Sequence, residues 1–174
     1  MPDSTLSQAI REAYAAAPAG VVIHHTLELL HPAFSTPIRV VRDFVDITAR
    51  LETTAPADPG ALVTFTAFAF DFSKPEVSST GVPQMTIEID NADRSIVANI
   101  EAAMTGTALV SVIYREFIST DLSAPQNNPP AKADILSITV TAAKVQAVAG
   151  YANLSNYRFP RTEYDAQTFP GLVV

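Results

Sequence analysis

The chain has 174 residues, 48% of them hydrophobic and only 17% charged, with a formal net charge of −7. That is length enough for one domain with a sizeable core, and the wrong sign for a protein that tracks phosphates or anionic lipid. There is no Cys, which excludes disulfides, thiolate metal sites, iron–sulfur clusters and cysteine nucleophiles.

Asp3, Arg11 and Glu12 interrupt the N-terminus where a signal peptide needs an apolar run, and nowhere do eighteen apolar residues follow one another. No export by that route and no membrane partner are expected. Ser4 or Thr5 is placed to cap a first helix reaching about Ala17, with Leu6, Ile10, Ala13 and Tyr14 on one stripe and Pro18 to Gly20 ending it. From Val21 the period changes to two, so a strand is predicted up to His31-Pro32. Ile38 to Leu51 alternates again, with a slip of phase near Asp46 that predicts a bulge or a turn between two strands. Thr53 to Gly60 is turn chemistry.

Leu62 to Phe72 reads as one strand, with Phe68, Phe70 and Phe72 on one face and Val63, Phe65, Ala67 and Ala69 on the other. Both faces are apolar, so the strand is central in a doubly covered sheet or presents one face to a neighbouring subunit. After a polar loop, Met85, Ile87 and Ile89 alternate with Thr86, Glu88 and Asp90. Asn91 or Asp93 then caps a helix closed by Gly106. Leu109 to Thr120 is a strand, Asp121 to Ala133 a Pro/Asn loop suited to contact or disorder. Ile135 to Ala142 and Val145 to Leu154 form two further strands turned at Ala143-Lys144. The fold class expected is mainly β (α+β), an antiparallel β-sandwich or partly open barrel with one N-terminal helix and one helix inserted between strands. Residues 1–155 form the single domain.

Residues 156–174 carry aromatics and prolines without a period. Tyr157, Phe159, Tyr164 and Phe169 interleave with charge in RFPRTEYDAQTF, the composition of an extended arm that docks rings into pockets of a partner. With the apolar strand's Phe68, Phe70 and Phe72, these are the candidate protein-interface residues. Thirteen Pro against six Gly favour such stiff arms over mobile lids.

Catalytic signals are weak. His24 and His25 are adjacent in a strand and point to opposite faces, and neither they nor His31 stand at HxH or HExxH spacing, so no metal or cofactor site is expected. Glu88 and Asp90 share a strand face, an arrangement open to a hydrolase acting through two carboxylates. The same alternation buries Met85, Ile87 and Ile89, so a solvated strand face is the better account of the pair. GxSxG, Walker A and GxGxxG are all missing, and no enzymatic activity is expected.

The runs PQMTIEIDNADRSIVANIEAAMTGTALVSVIYREFIS, ILSITVTAAKVQAVAGYANLS and NYRFPRTEYDAQTFPGL set a Pro-led strand, a capped helix, a strand carrying Tyr114-Arg115-x-Phe117 and a closing Phe169-Pro170-Gly171 in a fixed order. This order resembles the N-terminal domain of the tail tip protein of lambda-like long-tailed phages, and a family of short phage proteins known as a domain of unknown function. The resemblance covers about half the chain, and the first 60 residues only loosely. Lambda-like tail tip proteins continue into a cysteine-rich domain with an iron–sulfur cluster. This chain holds no Cys, so cluster binding does not carry over.

The resemblance implies a virion structural protein of a siphophage tail tip or baseplate hub, assembled in the host cytoplasm. It would form a homo-oligomeric ring of three or six copies between the distal tail protein and the central hub protein. DNA would pass through the lumen without specific nucleic-acid binding. A reading of another class is a small-ligand or carbohydrate-binding β-sandwich module with Tyr and His lining a groove.

Overall fold

The computed structural model describes residues 6–73, 84–90, 103, 108–141 and 144–150. Helix α1 spans Gln8–Ala16. Nine strands follow: β1 (Ile23–Leu30), β2 (Ile38–Val41), β3 (Ile47–Arg50), β4 (Leu62–Ala67), β5 (Phe70–Ser73), β6 (Gln84–Asp90), β7 (Ser111–Ile118), β8 (Ala131–Val140) and β9 (Lys144–Gly150). They join in one sheet, in the order β3-β4-β2-β1-β7-β8-β9-β6-β5. The fold is mainly β, and every pairing is antiparallel except the short β2–β4 contact, Val40 to Thr66 and Val41 to Ala67.

The sheet curls. Edge strand β5 lies four places from β7 in the order, yet the Phe72 ring sits 4.6 Å from that of Tyr114 on β7 and 5.4 Å from that of His25 on β1. Arg42, just past β2, lies 3.3 Å from Asp71 of β5. A flat nine-stranded sheet would hold these groups tens of ångströms apart at the usual ~4.8 Å spacing, so the sheet rolls into a partly open barrel.

Alternation then defines two cores on opposite faces. Leu27, Leu29, Val112, Tyr114, Ile87, Ile89, Ala147 and Ala149 point inward with Phe70 and Met85. On the outer face Ile47, Ala49, Leu51, Val63 and Phe65 fold over Val41 and Phe117, with the Phe65 and Phe117 rings 5.8 Å apart. The central pair β1–β7 is therefore covered on both sides, and five of its residues are polar and buried, His24, Thr26, Glu28, Arg115 and Glu116, together with Asn127 of the loop before β8.

Several expectations are corrected in detail. The cap of α1 is Ser7, whose Oγ accepts from the Ile10 amide, rather than Ser4 or Thr5. The slip near Asp46 is a turn, residues 42–46, separating β2 from β3. The run from Leu62 to Phe72 is two strands, broken at Phe68-Ala69 because β4 belongs to the outer layer and β5 to the barrel wall. The inserted helix lies outside the described residues, apart from Ala103, which is helical and buried.

The segment from Asp121 is held rather than free. Gln126 donates its amide to the Glu116 carbonyl and accepts from the Ser7 amide, and its Oε1 accepts from the Ser7 hydroxyl at 2.6 Å. Among the described residues no helix is long and apolar enough to cross a membrane.

Candidate functional site

Among the described residues, two networks of buried charge stand on opposite faces of β1–β7. On the outer face, Arg39, Glu28 and Arg115 stand on three adjacent strands. Glu28 is opposite Arg39 in the β1–β2 register, and Arg115 is opposite Thr26 in the β1–β7 register. Glu28 accepts from Arg39 Nε and from Arg115 Nη1, both at 2.8 Å. Two groups descend on this ladder from the turn after β3. Glu52 receives Nε and Nη2 of Arg115 at 2.8 Å each, and Asp58 receives Arg39 Nη2 at 2.7 Å. Burial alone pulls the Arg115 guanidinium down, but its hydrogen bonds to Glu52 and the charge of Glu28 outweigh that and hold it above its ordinary value.

On the inner face, Glu116 is fully buried and receives the phenols of Tyr114 and, at 3.2 Å, Tyr14 from α1. Nδ1 of His25 lies 2.8 Å from the Tyr114 oxygen. The Tyr114 phenol has one proton and gives it to Glu116, so the hydrogen in the His25 contact belongs to Nδ1. Burial pushes both phenols well above the ordinary tyrosine range, and the Glu116 charge and hydrogen bonds push the same way. This set ties α1 to the barrel and holds a carboxylate in the interior. Two open clefts among the described residues are lined by other residues.

The first cleft, about 730 Å³, lies where the curled sheet fails to close, between β5 and the 42–46 turn. Phe68, Ala69, Arg42, Asp43, Asp71 and Glu88 line it, and Phe44 stands at its edge. Phe44 is fully exposed and Val45 is 69% exposed. The turn that presents them is fixed: the Arg42 amide donates to the His25 carbonyl, the Phe44 amide to Asp43 Oδ1, and the Ala67 amide to Asp46 Oδ1. Nδ1 of His24 lies 2.9 Å from Asp43 Oδ2.

The second cleft, about 450 Å³, lies at the other end of β1. Pro32, Phe34, Pro37, Pro56, Leu109 and Lys132 line it with Leu30 and His31. His31 Nδ1 accepts from the Ala33 amide and its Nε2 reaches the Ala108 carbonyl at 3.2 Å.

Against this geometry the residues singled out by sequence separate. Phe68 is half-buried and lines the first cleft, Phe72 is half-buried against Tyr114 and His25, and Phe70 is a buried member of the barrel core. The apolar character of Phe70 is thus satisfied within the chain. Tyr157, Phe159, Tyr164 and Phe169 lie outside the described residues. His24 and His25 do face opposite sides. Glu88 Oε2 pairs with Lys144 at 2.9 Å and its Oε1 accepts from Gln146 at 3.2 Å, while the side chain of Asp90 is not described.

Tyr114 is buried with His25 half-buried against it, Tyr14 is 47% exposed with its phenol turned onto Glu116, and His31 lines the second cleft, so the first cleft is one of Phe and carboxylates. Among the described residues no group of His, Asp or Glu is arranged to hold a metal ion. The alternation from Ile38 to Leu51 places Phe44 and Val45 in a strand, whereas they stand on the 42–46 turn. The signal lay in Asp43 and Asp46, two turn-forming residues bracketing an apolar pair.

A family model described as "Domain of unknown function (DUF1833)" matches residues 9–164. No curated protein matches the chain.

Proposed function

We propose that this chain, which belongs to the DUF1833 family, is a structural subunit of a phage tail tip, assembling as a ring of three or six copies between the distal tail protein and the central hub. The observation that carries the assembly reading is the exposed pair Phe44-Val45 on a turn whose backbone is tied to β1, β2 and β4. A ring held out in water on a rigid projection contributes nothing to the isolated fold. Transferred to a partner's surface it is the kind of anchor that dominates protein interfaces. The order of strand motifs from Pro83 to Gly171, which resembles the lambda-like tail tip domain, directs that reading to a phage tail.

Light scattering behind size exclusion, with electron microscopy of the full chain alone and mixed with the distal tail and hub proteins of the same phage, tests it. Rings of three or six copies are expected. A chain that stays monomeric in all these mixtures overturns the proposal.

A second reading rests on the first cleft, where Phe68 and the carboxylates of Asp71 and Glu88 supply the apolar platform and hydrogen-bond acceptors that sugars use. Titration with a panel of oligosaccharides tests it: saturable binding lost in Asp71→Asn supports a carbohydrate module, and no binding leaves assembly as the function of this face.

A further inference from the structure

We propose that the Phe44-Val45 tip of one copy seats in the Pro/Phe groove at the far end of the barrel of the next copy, making the subunit contact head-to-tail. The inference rests on the assembly reading above and names its interface. The tip belongs to the end of β1 at His24 and His25, since the Arg42 amide bonds the His25 carbonyl. The groove belongs to the end at Leu30 and His31. Five residues of strand, roughly 17 Å, separate the two, so a copy does not fill its own groove, whereas a second copy brings a tip to it.

Charge selects this partner over the symmetric alternative. Around the tip and its adjoining cleft stand Asp43, Asp46, Asp71 and Glu88, against Arg42 and Lys144, which pair with Asp71 and Glu88. Two tips meeting cleft to cleft across a two-fold axis bring these carboxylates together. The groove has no carboxylate in its lining, and Lys132, exposed on its rim, makes no ion pair among the described residues. An apolar pair flanked by Asp43 and Asp46 therefore matches an apolar groove with a cation beside it. A heterologous contact between opposite ends closes into a ring or runs on as a filament, whereas an isologous one stops at two.

The test uses two variants of the full chain. Phe44→Ser removes the tip, and the double change Leu109→Glu with Lys132→Glu spoils the groove. Leu109 is 56% exposed and Phe44 fully so, so both are expected to melt with the wild type, which circular dichroism checks. In sedimentation velocity each variant alone is expected to lose assembly, with affinity weakened at least about 30-fold. A 1:1 mixture is expected to stop at a heterodimer, because it holds one intact tip and one intact groove per pair. Variants that assemble as the wild type does, or a mixture that stays monomeric, overturn the head-to-tail contact and leave ring formation standing on another surface. A wild type that is monomeric even with its tail partners overturns both.

Discussion

Arg115 and Glu28 meet at 2.8 Å across the β1–β7 pair with both side chains completely removed from solvent. Each is compensated again on its other side, Arg115 by both oxygens of Glu52 and Glu28 by Arg39. Such a ladder contributes little net stability compared with apolar packing, but breaking it leaves an uncompensated charge in the interior. Arg115→Ala is expected to cost about 3–5 kcal/mol in urea unfolding. A loss below about 1 kcal/mol would show that water reaches Glu28 and that the ladder is not dry.

Asn127 joins the loop before β8 to the back of β7. Its Oδ1 accepts from the Glu116 amide at 2.9 Å and its Nδ2 donates to the Tyr114 carbonyl at 3.0 Å, all buried. Asn127→Ala orphans two backbone groups at once, and about 2–4 kcal/mol of destabilisation is expected from two unmet buried partners. Amide exchange gives the local readout: Glu116 N–H is expected to lose protection more than its β7 neighbours, and unchanged protection refutes the role.

Alternation in the sequence located the strands because both cores are built from it: Met85, Ile87 and Ile89 face inward on β6 as their spacing predicts. The break at Phe68-Ala69 was invisible for a physical reason. β4 and β5 are both apolar toward a core, but toward different cores, and periodicity does not tell one apolar environment from another. The buried networks leave a sign in the sequence. Glu28 in HHTLELL and Arg115-Glu116 in VIYREFI place charge in the middle of apolar strands, where it survives only if paired. Which charge meets which depends on register, and Glu52 joins Arg115 across 63 positions that no local pattern connects.

Ala17 ends α1 in the left-handed region, φ 41° and ψ 55°, with its amide on the Ala13 carbonyl. A Cβ in that conformation costs about 1–2 kcal/mol, partly offset in Gly by the greater freedom of its unfolded chain. Ala17→Gly is therefore expected to stabilise the fold by about 0.5–1 kcal/mol, visible as a rise in Tm. A fall in Tm would show that the terminus of α1 rearranges to suit Ala17.

The Tyr114 phenol, 4% exposed and bonded to Glu116, is held well above the ordinary tyrosine range by burial first and by the Glu116 charge second. The sign of its linkage follows. In the unfolded chain Tyr114 releases its proton near pH 10, while in the folded chain it keeps it. Above that pH the folded state binds one more proton, so its stability is present in full below pH 10 and declines as the pH rises. Each group held in this way contributes a slope of about 1.4 kcal/mol per pH unit. Urea unfolding at pH 8, 9, 10 and 11 is expected to be flat with respect to Tyr114 up to pH 9 and to fall beyond it, with a shallower fall in Tyr114→Phe. Far-ultraviolet circular dichroism on the same samples separates global unfolding from local loss of α1, which Tyr14 also ties to Glu116. Equal slopes in the wild type and Tyr114→Phe would show that the phenol reaches solvent without unfolding, and that the inner network is open to water.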